Sequence, residues 1–188
     1  HRAYTGIRGR ITENLIAEAR AGYLWRRGDS SDGDTWLASG TLTHELGRRS
    51  RHSLSGGKDY YDYEFTGARV ITKYVRYNFE HEFTRDLKGG FTLQYSDDDG
   101  DTLSGQRKFA SAYLNYEIFP SLDGNIDVRY VYERREGEVF DDRGDRTLIR
   151  VRYSQSLATR LYGSLFYQRE EDQSFQENLV GLNLRRYF

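Results

Sequence analysis

The chain has 188 residues, and its 28 Lys and Arg against 29 Asp and Glu leave a formal net charge of −1. Hydrophobic residues make up only 37% and mean hydropathy is −0.84, values that would suit disorder were it not for 16 Tyr and 10 Phe, since disordered chains are poor in aromatics. The balanced charge gives no case for a nucleic-acid partner, the absence of cysteine removes disulfides and thiolate sites, and no apolar run reaches the roughly 18 residues a transmembrane helix needs.

A single Pro, 19 Gly and abundant Tyr, Thr, Val and Phe favour β structure. Compact turns recur around residues 12–15, 47–51, 84–87, 120–123 and 158–161, a spacing of roughly 36 residues that marks repeated supersecondary units. Between turns the sequence alternates with period two, the mark of a strand with two different faces. Taken in chain order, the pattern predicts about eleven strands, at 2–11, 16–27, 35–46, 52–63, 69–83, 89–96, 106–119, 124–134, 146–157, 161–170 and 177–188. Many are nine or more residues long, about what a tilted strand needs to cross a bilayer. The chain begins without Met or a signal peptide, and an odd strand count would put its start outside the cell. Further strands upstream are therefore expected.

The fifth strand sets Ile71, Val75, Tyr77, Phe79 and Phe83 against Thr72, Tyr74, Arg76, Asn78, Glu80 and Glu82. The eighth sets Ile126, Val128, Tyr130 and Tyr132 against Asp127, Arg129 and Glu133. Read this way throughout, the polar face carries Glu18, Arg20, Arg76, Glu80, Glu117, Asp127, Arg129, Glu133, Arg150, Arg152, Glu170 and Arg185. These are the candidate lumen-lining residues. They read equally as a charged lining that selects what passes, or as cross-strand ion pairs bracing a closed barrel. Lys73, His81 and Arg186 interrupt the apolar face.

Aromatic residues gather at both ends of the apolar face. Near the long loops are Trp25, Trp36, Tyr60, Tyr95, Tyr132 and Tyr167; near the short turns are Phe79, Phe83, Phe91, Tyr116, Tyr153 and Phe188. Two belts separated by aliphatic residues are what a bilayer with two interfaces selects. The expected fold is an all-β, antiparallel up-and-down transmembrane β-barrel forming one domain over 1–188, with twelve or more strands in the whole protein.

The segment from Glu177 to Phe188, ending Leu184-Arg185-Arg186-Tyr187-Phe188, resembles the closing strand of Gram-negative outer-membrane β-barrels, with Arg186 standing where a hydrophobic residue is usual. Short turns of the Ser-Leu-x-x or Thr-x-x-Leu kind also resemble the porin-like families of exopolysaccharide gene clusters. The resemblance implies an outer-membrane location and recognition of the terminal aromatic by the barrel-assembly machinery. It implies contact with outer-membrane lipid and lipopolysaccharide, and leaves room for a periplasmic or lumen-plugging partner. The expected role is a porin-like conduit, without enzymatic activity or cofactor, for small hydrophilic solutes or a secreted polymer. A structural or anchoring barrel is the first alternative.

A lipid hydrolase is the second. In barrels that resemble outer-membrane phospholipase A, a His and a Ser lie two residues apart on one strand face. Here His52 is followed by Ser53 and Ser55, both on the opposite face. The cluster Asp97-Asp98-Asp99-Gly100-Asp101 lacks the spacing and distal Glu of a calcium-binding EF-hand and reads as a solvated hairpin loop, so no metal is expected.

Overall fold

The computed structural model describes residues 2–25, 34–63, 68–100, 104–119, 123–137 and 144–186. They form a single antiparallel sheet in which every strand pairs with its sequence neighbour. The strands are β1 (Arg2–Thr12), β2 (Leu15–Leu24), β3 (Thr35–Leu46), β4 (Ser50–Tyr63), β5 (Ala68–Glu82), β6 (Leu87–Gly100), β7 (Gly105–Phe119), β8 (Gly124–Gly137), β9 (Gly144–Ala158), β10 (Leu161–Glu171) and β11 (Gln176–Arg186). Among the described residues β1 and β11 each pair on one side only. The eleven expected strands are all present, and the fold is all-β and up-and-down.

Short turns close by local chemistry. Leu87 N–H donates to Thr84 Oγ1 at 3.1 Å, while Thr84 N–H donates to the Leu87 carbonyl at 3.2 Å. Gly47 adopts φ 68°, a left-handed conformation that costs glycine nothing. Turns also tie to the next hairpin: Glu45 N–H donates to the Asn14 carbonyl, and Glu82 N–H to that of Arg49, each at 2.8 Å.

One element departs from expectation. The acidic cluster Asp97–Asp99 lies inside β6, where Asp97 opposes Lys73, Asp98 opposes Thr72 and Asp99 opposes Ile71. Thr72 Oγ1 donates to Asp98 Oδ1 at 2.6 Å. Polar partners across the strand extend the hairpin beyond the point where composition alone signals a loop.

The burial pattern is inverted relative to a water-soluble protein. Among the described residues the buried apolar side chains are Leu24, Leu37, Tyr60 and Val70. The exposed ones include Ile7 at 74%, Val75 at 55%, Leu165 at 53% and Leu182 at 70%. Cross-strand pairing puts them on one face: Val75 opposes Tyr95, Leu165 opposes Tyr153 and Leu182, and Leu114 opposes Val128. A continuous exposed apolar face of this extent is the outside of a transmembrane barrel. Among the described residues no helix is long and apolar enough to cross a membrane; the strands themselves are long enough to do so.

Candidate functional site

The opposite face is where the charges meet. One row of partners runs from Glu18 through Thr41, Ser55, Arg76, Gln94 and Phe109 to Glu133. A second runs from Glu80 through Gly90, Tyr113, Arg129 and Arg150 to Gln168. Glu117 opposes Asn125, Asp127 opposes Arg152, and Arg185 opposes Tyr162. Since cross-strand partners share a face, register places Glu18, Arg20, Arg76, Glu80, Glu117, Asp127, Arg129, Glu133, Arg150, Arg152, Glu170 and Arg185 together.

The charges on this face are unevenly paired. Toward the long loops, Arg146 Nη2 lies 2.6 Å from Glu170 Oε1, Arg135 Nε 3.0 Å from Glu133 Oε1, and Arg20 Nη2 3.5 Å from Asp59 Oδ2. Arg20 reaches past β3 to do so, and its guanidinium lies over the Tyr4 ring. Near the short turns Lys88 Nζ is 2.7 Å from Glu82 Oε1. Between these ends, Arg76, Arg129, Arg150 and Arg152 form no ion pair among the described residues. Arg76 Nε donates to Gln94 Oε1 at 2.8 Å, and Arg150 Nε to Gln168 Oε1 at 2.9 Å. A neutral amide orients a guanidinium without cancelling its charge.

The polar face also uses glycine to admit aromatic rings. A Cβ on Gly90 would stand 2.3 Å from the Phe79 carbonyl oxygen and 3.0 Å from Tyr113 Cε1. Tyr113 thus lies against a neighbour that only glycine can provide, as designed and natural sheets do where a ring covers a bare strand.

The apolar face shows a gradient along single strands. β6 reads Phe91, Leu93, Tyr95, then Asp97; β8 reads Val128, Tyr130, Tyr132, then Arg134; β10 reads Leu165, Tyr167, then Arg169. Above the tyrosines the charges pair, with Arg134 Nε 2.6 Å from Glu136 Oε1 and Lys108 Nζ 3.6 Å from the same oxygen. The tyrosines point their hydroxyls at that rim: Tyr132 donates to Asp145 Oδ1 at 3.1 Å and Tyr167 to Asn178 Oδ1 at 2.8 Å. Apolar below, amphipathic ring, charge above is the order of a membrane interface.

Trp36, Tyr95, Tyr167, Phe83 and Tyr116 are exposed, and Trp25 follows the end of β2. Phe79 and Phe91 oppose each other, with ring centroids 5.4 Å apart. Tyr60 differs: it is 8% exposed and clusters with Leu24 and Leu37, with Ile71 packed against them. β3 and β4 are paired only as far as Ala38 and Lys58, so Tyr60 lies beyond their ladder. Phe188 lies outside the described residues.

Sequence reading missed the histidine contacts, because they join strands. Ser50 and His81 are cross-strand partners, with Oγ 2.7 Å from Nδ1. Among the described residues no carboxylate is hydrogen-bonded to His81, which packs between Phe79 and Phe83, so no catalytic triad is assembled there. His44 Nδ1 lies 3.1 Å from His52 Nε2, and His52 Nδ1 lies 3.2 Å from the Tyr77 hydroxyl. No group of three metal-ligating side chains is assembled among the described residues.

An apolar exterior, interfacial tyrosines and a charged opposite face define the fold of the Gram-negative outer-membrane β-barrels, in their porin-like form. No family model and no curated protein matches the sequence. Solved structures do match the fold. The outer membrane channel DcaP of Acinetobacter baumannii superposes with a TM-score of 0.66 at 12% identity, over 98% of this chain and 62% of that one. The anion-selective porin from Comamonas acidovorans gives 0.59 at 15% identity, over 90% and 54%. A loop-deletion form of OmpT, an outer membrane protein of Vibrio cholerae, gives 0.62 at 16%, over 100% and 62%. The chain thus spans less than two thirds of the length of each.

Proposed function

We propose that this chain forms wall of a porin-like channel in the outer membrane, passing small hydrophilic solutes and favouring anions. The observation that carries the reading is the group Arg76, Arg129, Arg150 and Arg152, which shares the charged face and forms no ion pair among the described residues. Ion pairs at both ends of the strands brace that face, while the guanidiniums between them keep their charge for whatever passes. Water in a lumen would solvate them, at much less cost than burial in a dry core. The likeness in fold to an anion-selective porin and to an outer membrane channel supports the same reading.

Reconstitution of the whole protein into planar bilayers tests it. The expected result is stepwise conductance with a reversal potential favouring chloride over potassium. Correctly folded protein that passes no current would establish a closed, structural barrel in its place.

A further inference from the structure

The apolar face carries a hollow of about 800 Å³ reaching from β1 to β5. Its floor is made of Ala19, Ala21, Ala38, Gly40 and Gly56, which are cross-strand neighbours: Ala19 opposes Gly40, Gly40 opposes Gly56 and Ala21 opposes Ala38. Larger side chains bound it. Ile7 flanks the Ala19 row on β1, Val75 continues it on β5, and Leu42 opposite Leu54 closes the side toward the short turns. Elsewhere on this face Ala110 stands between Leu93 and Tyr132, and Ala112 between Phe91 and Tyr130; here small residues oppose small residues on adjacent strands, and the surface is depressed.

Two lysines stand at the loop-side edge of the hollow. Lys58 and Lys73 both line it and are direct cross-strand partners. Their row continues to Asp97, the first charged residue beyond Tyr95 on β6, which sets them where the apolar band gives way to the polar rim. Lys58 bends toward that rim. Its Nζ donates to Thr35 Oγ1 at 2.7 Å and lies 4.9 Å from the centroid of the Trp36 ring. Lys73 is exposed and forms no ion pair among the described residues, although Asp97 faces it from β6. Two adjacent cations on a lipid-facing surface repel each other unless an anion lies between them.

We infer that this is a docking site for a phosphorylated lipid of the outer leaflet. An acyl chain lies in the hollow over Ala38, Gly40 and Gly56, and the phosphate sits between Lys58 and Lys73, beside Trp36. Small side chains give the chain depth, and the lysines meet the headgroup at the level where headgroups lie. The inference rests on the apolar face meeting lipid, as the proposed function requires.

The test uses the full-length protein carrying Trp25→Phe, with any tryptophan outside these 188 residues also changed to Phe, so that Trp36 is the reporting indole. It is folded into phosphatidylcholine vesicles containing a minor fraction of acyl-brominated phosphatidic acid or, separately, acyl-brominated phosphatidylcholine. Phosphatidic acid should quench Trp36 preferentially. Lys58→Gln with Lys73→Gln should reduce that preference by roughly tenfold. Gly40→Leu should lower it too, by filling the hollow; a Cβ there meets only the Glu18 carbonyl oxygen, at an ordinary 3.5 Å. Equal quenching by both lipids, or a preference indifferent to the lysines, overturns this site and leaves the membrane reading standing. Absence of quenching by either lipid from a monomeric protein overturns both. A Trp36 shielded in an oligomer that Gly40→Leu dissociates would make this face an interface between copies instead.

Discussion

Arg129 on β8 and Arg150 on β9 are direct cross-strand partners on the charged face. Only Arg150 has a side-chain partner among the described residues, the amide of Gln168. Like charges placed opposite one another cost stability, and the proposed channel gives the field they create a use.

Replacing both arginines by Gln is therefore expected to lower the chloride preference of the channel in bilayer reversal-potential measurements. Folding stability should hold or rise slightly, by up to about 1 kcal/mol, as the opposed charges go. An unchanged reversal potential would remove these residues from the ion path.

The two faces should answer oppositely to charge. Leu93→Arg places a cation on the exposed apolar face and is expected to cost about 2–4 kcal/mol in denaturant titrations of protein folded into lipid bilayers. Thr92→Arg, on the other face, should cost about 1 kcal/mol through the lost hydrogen bond to Asn78 Oδ1, 2.9 Å away. In a water-soluble sheet the half-exposed Leu93 would instead tolerate arginine easily.

Gly90 and Gly40 offer a matched pair. Gly90→Ala forces a Cβ to within 2.3 Å of the Phe79 carbonyl oxygen and is expected to destabilise by about 1–3 kcal/mol. At Gly40 the nearest atom is 3.5 Å away, and Ala should be accepted with little change. Equal losses at both positions would contradict the close approach of β5 and β6 at Gly90.

The chain of contacts His44–His52–Tyr77 should show the asymmetry of polar partners held together on an apolar face. His52→Leu alone strands the other two polar groups at an apolar face and should cost about 1–3 kcal/mol. His44→Leu, His52→Leu and Tyr77→Phe together remove every member and are expected to recover most of that loss. Bilayer unfolding of the single and triple variants decides it.

Alternation along each strand is enough to assign residues to faces. Alternation with period two is local, and it separated Arg76, Arg129 and Arg150 from Val75, Val128 and Ile149 without any knowledge of pairing. It also placed the eleven strands, since turns such as Thr84 to Leu87 close through their own hydrogen bonds. Register was beyond its reach, because sliding a strand by two residues leaves every side chain on the same face. That Arg129 meets Arg150, Ser50 meets His81 and Lys58 meets Lys73 therefore follows from the pairing of the folded strands. The same cause hid the strand character of Asp97–Asp99, which depends on Thr72 and Lys73 opposite them, and the hollow over Gly40 and Gly56, where small residues from three strands come level.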